Sequence, residues 1–181
     1  MLLFAACRPN HYSPKPRGYH RIQFPEKSYQ HYQEGCPFSF QYPEYTQLQP
    51  APTSAGQTCW IDLIYPEFNA QVHLSYLPIH TPAQLIKYQD DAHHFAFSHA
   101  ARASAIDQER INMSEGAKYG FWYHIKGNVA SNLQFFVTDS TQHYLRGALY
   151  FNEKPQIDSL QPVLDYIRVD MEHLVETLTW K

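Results

Sequence analysis

The chain has 181 residues, 44% hydrophobic and 17% charged, with 14 Tyr, 11 Phe and 3 Trp and a formal net charge of −3. That length and apolar content suffice for one domain with its own core and exclude a disordered or heavily charged, solvated chain. Lys and Arg are scattered and form no basic stripe, which excludes nucleic acid as a partner, and beyond the first seven residues no apolar run approaches the ~20 residues that span a bilayer.

The chain begins with MLLFAAC. Two readings of these residues stand side by side. One is an apolar chain end or short edge strand. The other is the tail of a bacterial lipoprotein signal, in which two small residues, Ala5 and Ala6, precede the lipidated Cys7. A full signal has a charged start and about 7–15 apolar residues. The run has neither, so on the second reading Met1 is not the native start. Pro9, Pro14 and Pro16 then favour an extended tether over 8–17. The expected organisation is a signal remnant over 1–7, this tether, and a single α+β domain over 18–181.

Within the domain, GYHRIQFP (18–25) reads as a short strand and the polar, tyrosine-rich 26–35 as a loop. Phe38, Phe40 and Tyr42 alternate with Ser39 and Gln41, predicting a half-buried strand over 36–45. The Pro/Ser/Gly-rich 47–57 reads as a surface loop. Two apolar runs, 58–66 and 71–78, predict an antiparallel hairpin. Cys36 and Cys59 each open a strand-like run, so in an oxidising compartment they can pair; the alternative is two buried thiols.

Thr81-Pro82-Ala83-Gln84 is a capping box with proline at the first helical position, predicting a helix from there to about 103. Strands are expected over 118–127, 132–140 and 143–151, with connections short enough only for antiparallel neighbours. Asp158 is a candidate cap for a last helix, whose apolar stripe runs through Leu160, Val163, Leu164, Ile167, Met171, Leu174, Val175 and Leu178. An antiparallel sheet interrupted and closed by helices is an α+β sandwich.

Nothing in the sequence supports an enzyme, a cofactor or a metal. His93, His94 and His99 have the wrong spacing for ligands on one helix face, and no phosphate loop or nucleophile elbow occurs. Asp90, Asp91 and Glu109 read as solvated surface. More informative is the last strand. Leu145, Gly147, Leu149 and Phe151 point one way, with Gly147 admitting close approach of a helix, while Tyr144, Arg146, Ala148 and Tyr150 point the other. With Trp122, His124 and Phe136 from neighbouring strands, Tyr144, Arg146 and Tyr150 form a candidate partner-binding face, because aromatics beside arginine typify interaction hot spots. The competing reading is that a helix or the 26–57 segment covers this face.

The stretches YSPKPRGYHRI (12–22), CPFSFQYPEY (36–45), CWIDLIYP (59–66), HLSY (73–76), FFVTDSTQHYLRGALYFN (136–152) and DSLQPVLDYIRVDMEHLVETLTW (158–180) together resemble the gliding motility lipoprotein GldD family. The resemblance implies a lipoprotein facing the periplasm of bacteria that glide and use type IX secretion. It also implies a role in that machinery and in stabilising a companion lipoprotein, anchorage to the membrane through lipid, and no catalytic activity. It supports lipidation at Cys7 and places Cys36 and Cys59 in matching contexts. A periplasmic binding module or chaperone outside the motility machinery is the alternative. The second half of the chain also resembles the PsbP-like α/β/α sandwich, an analogy of fold alone.

Overall fold

Ala70, Val72 and Leu74 are buried while Gln71, His73 and Ser75 between them are only half-buried, the period-2 alternation of a strand with one dry face. This strand is the third from one edge of the main sheet. The structure, a computed structural model, describes residues 22–51 and 59–181. Cys7, the tether and the first part of the expected strand at 18–25 lie outside the described residues, as do 52–58 of the expected surface loop.

In chain order the described elements are β1 (Tyr29–Tyr32), β2 (Phe38–Pro43), β3 (Gln47–Pro50), β4 (Trp60–Tyr65), a 3₁₀ turn (Pro66–Phe68), β5 (Ala70–Pro78), α1 (Pro82–Phe97), β6 (Ala105–Met113), β7 (Lys118–Lys126), β8 (Leu133–Thr138), β9 (His143–Phe151), α2 (Ile157–Thr177) and β10 (Thr179–Trp180). The main sheet is antiparallel with order β3-β4-β5-β9-β8-β7-β6, and β1-β2-β10 form a small second sheet. One core lies between the main sheet, α2 and β2, where Ile167, Met171 and Leu174 of α2 meet Phe38, Phe40, Leu63 and Leu149. A smaller core on the opposite face packs α1, through Ala92 and Ala96, against Tyr123, Phe136 and Tyr144. The architecture is the α+β sandwich expected.

Several boundaries differ, each for a physical reason. Residues 22–25 form no strand; Phe24 instead stacks on Tyr166 of α2 with ring centroids 4.6 Å apart. Part of the expected 26–35 loop is β1, and part of the expected 47–57 loop is β3, which tolerates Pro50 because it lies at the sheet edge. The capping box is present, with Gln84 N–H donating to Thr81 Oγ1 and Thr81 N–H to Gln84 Oε1. However, α1 stops at Phe97 rather than near 103, where Ser98 Oγ donates back to the Phe95 carbonyl. The N-terminus of α2 is not capped by Asp158: the Ile157 N–H donates to Asn128 Oδ1 in the β7–β8 connection. A last short strand, β10, follows α2 and pairs with β2 at Phe38 and Ser39.

Gly147 does face the α2 side, but the close approach it allows is to a neighbouring strand. A Cβ there would lie 2.1 Å from the Phe135 ring, so the bare backbone accommodates an aromatic ring lying across it.

Candidate partner-binding surface

The main sheet separates the six residues of the expected face. Trp122 pairs with Phe135, and Phe135 with Gly147, which places Trp122 in the α2 core. His124, two residues on, points to the same side and meets Glu109 of β6 at 3.2 Å. Both therefore lie opposite Arg146, because side chains two apart on a strand share a face. Phe136 and Tyr144 are on the Arg146 side, stacked on each other at 5.3 Å, but α1 buries them and the Tyr144 hydroxyl donates to the Tyr88 carbonyl. Arg146 is half-buried: its guanidinium donates to Gln134 Oε1 at 2.6 Å and lies 4.7 Å from the Phe95 ring centre. Tyr150 alone of the six belongs to the part of this face that α1 leaves uncovered. The covering helix thus accounts for Phe136 and Tyr144 as a second core layer.

Beyond α1, the face continues over β9, β5 and β4. Here His73 pairs through Nδ1 with Asp62, Tyr150 meets the His73 ring edge-on at 5.3 Å, and Gln71 Nε2 lies 3.1 Å from His73 Nε2. With Nδ1 carrying the proton donated to Asp62, Nε2 accepts from the Gln71 amide. Both imidazole nitrogens are thus engaged, and the group orients a polar, aromatic surface. Sequence reasoning missed Asp62 and His73 because they lie eleven residues apart and meet only through the β4–β5 register.

A second constellation ties Lys27, β1 and Tyr45 to α2. Asp170, 1% exposed, accepts from Lys27 at 2.6 Å, Tyr45 at 2.7 Å and Tyr29 at 3.1 Å. Lys27 also donates to the Tyr166 carbonyl at 2.8 Å and sits 3.2 Å from the centre of the Tyr166 ring, a cation–π contact. Burial pulls the Lys27 ammonium down from its ordinary range, while the bond to Asp170 opposes that. Cys36 and Cys59 form a disulfide with Cα atoms 5.6 Å apart, joining the start of β2 to the start of β4.

Among the described residues, no helix is long and apolar enough to cross a membrane and no three potential metal ligands converge. His93 stacks on Phe97 at 4.1 Å.

The layered sheet and helices define a PsbP-like α+β sandwich. The solution structure of cyanobacterial PsbP (CyanoP) from Synechocystis sp. PCC 6803 is similar to the chain with a TM-score of 0.51 and 14% identity, covering 90% of this chain and 98% of that one. That likeness concerns the fold alone. The chain belongs to the gliding motility lipoprotein GldD family, whose model matches residues 9–180. No curated protein matches it in sequence.

Proposed function

We propose that the protein is a non-enzymatic accessory or assembly factor of the gliding motility and type IX secretion machinery. In this reading Cys7 carries the lipid, residues 8–17 hold the domain off the membrane, the domain beginning at 18 faces the periplasm, and its partner is a companion envelope lipoprotein that it stabilises. The observation that carries the reading is membership of the GldD family along nearly the whole chain. The partly uncovered sheet face supports it as a binding surface, because it presents Tyr150 and Gln71 beside a His73 whose nitrogens are both engaged.

Deleting the coding sequence in a gliding host tests the role. Colony spreading and secretion of cargo should both fail and return with the intact sequence. Normal spreading and export in the deletion strain would defeat the proposal.

A further inference from the structure

The main sheet has two unlike edges. At one, β3 has four residues and ends at Pro50, which blunts it. At the other, β6 runs nine residues from Ala105 to Met113, about 30 Å of extended chain. Among the described residues it pairs only with β7, so its outer N–H and C=O groups present a template for another strand.

Beside this edge, on the α2 side, lies a groove. One wall is the helical row Asp165, Arg168, Glu172 and Glu176; the other is Asp107 and Glu109 of β6 with His124 and Lys126 of β7. A cleft of about 370 Å³ opens at one end, lined by Leu133, Ile157 and Leu164 beneath Lys126 and Arg168. A second, of about 620 Å³, opens at the other end between Met113, Glu115 and Glu176. Trp122 is buried between them, in the core that underlies the groove.

The groove is acidic. Its carboxylates are Asp107, Glu109, Glu115, Asp165, Glu172 and Glu176; its cations are Lys118, Lys126 and Arg168. Lys126 pairs with Asp107 at 2.7 Å, Arg168 with Asp165 at 3.2 Å and with Glu172 at 3.8 Å, His124 with Glu109 at 3.2 Å, and Lys118 donates to the Glu176 carbonyl, which leaves the excess negative charge on Glu115, Glu172 and Glu176. Burial pushes the Glu172 carboxyl up; Arg168 opposes this, and Glu109 pushes it further in the same direction. With six carboxylates against three cations, the groove favours positive charge arriving from outside, whereas a second copy of the same acidic edge would be repelled.

We infer that the groove between α2 and β6 receives an extended segment of an envelope partner, rich in Lys or Arg with apolar residues between, which adds to the sheet as an eighth strand beside β6. Main-chain hydrogen bonds to β6 supply affinity, and alternate side chains enter the acidic groove and its apolar clefts to supply specificity. The inference rests on the partner-binding reading above and names where and what the protein binds.

The test places a photoreactive benzoylphenylalanine at Gln108, which lies on the face of β6 away from the groove but beside any strand paired to this edge, in the full-length protein in a gliding host, with the same probe at Gln71 for comparison. The expected adduct forms at 108, maps by mass spectrometry to a partner segment in which Lys and Arg outnumber Asp and Glu, and falls about tenfold in Glu109→Lys/Glu176→Lys. Glu115→Lys, at an exposed turn, repeats the measurement should the double variant fold poorly. An adduct to an acidic segment, an adduct only between copies of this chain, or a yield unaffected by charge reversal overturns the inference. Absence of an adduct at 108 while the companion lipoprotein still depends on this protein overturns the groove alone; loss of that dependence overturns the accessory-factor reading.

Discussion

The Lys27 ammonium donates to the Asp170 carboxylate across 2.6 Å, joining the segment that leads into the fold to the middle of α2. Asp170 is fully buried at its side chain while Lys27 is 26% exposed. Removing either partner is therefore not equivalent. Lys27→Met leaves a buried carboxylate with only tyrosine hydroxyls and should cost about 3–5 kcal/mol. Asp170→Asn keeps an acceptor for Tyr29 and Tyr45, and lets Lys27 turn to solvent, so it should cost about half as much. Urea unfolding of both variants checks the order; equal losses would contradict it.

Opening the Cys36–Cys59 disulfide releases a loop that includes β2 and β3. The chain-entropy relation for a loop of this length gives about 3 kcal/mol. Cys36→Ser/Cys59→Ser should lower the urea midpoint accordingly, and adding reductant to the unsubstituted protein should reproduce the shift. Identical unfolding with and without reductant would contradict the prediction.

Asp139 closes the β8–β9 turn. Burial opposes its ionisation, but the Thr141 hydroxyl and the backbone N–H groups of Thr141, Gln142 and His143 outweigh that and hold the carboxyl at about 2. A depressed carboxylate contributes stability that is present above its unfolded value near 4 and is lost as pH falls toward 2. After allowance for solvent screening the contribution is on the order of 1 kcal/mol. Asp139→Asn should therefore differ from the unsubstituted protein at pH 7, with the gap narrowing from about pH 4 downward and closing only below about pH 2; a gap as wide at pH 2 as at pH 7 would refute this.

Arg146 takes part in packing rather than only in display. Arg146→Glu removes the bond to Gln134 Oε1 and sets a carboxylate against that amide oxygen, which is buried. The expected loss is about 2 kcal/mol, and Arg146→Lys, which keeps one donor, should recover roughly half. Thermal unfolding reads both, and an unchanged midpoint for Arg146→Glu would remove the structural role.

Where a segment has one dry face, its residues announce the element. The α2 stripe, the Thr81–Gln84 capping box and the β4–β5 hairpin were all legible for that reason. β6 was not: Asp107, Gln108, Glu109 and Arg110 are all exposed, so an edge strand with little to bury shows no alternation. Side-chain direction within a strand was legible too, as in β9. Which face of β7 shares a side with which face of β9 depends on the registers through β8, and that is why Trp122 and His124 were grouped with the wrong neighbours. The Asp170 cluster is assembled by tertiary packing from distant segments, and the Asp62–His73 pair depends on the exact β4–β5 register; neither left a local pattern to read.

The most direct measurement of the central claim is the level of the companion lipoprotein, by quantitative immunoblot, in a deletion strain complemented with either the intact sequence or Cys7→Ser. The account predicts a several-fold fall on deletion, restored by the intact protein and not by Cys7→Ser. A companion level that is unchanged by deletion, or equally restored by both, would contradict it.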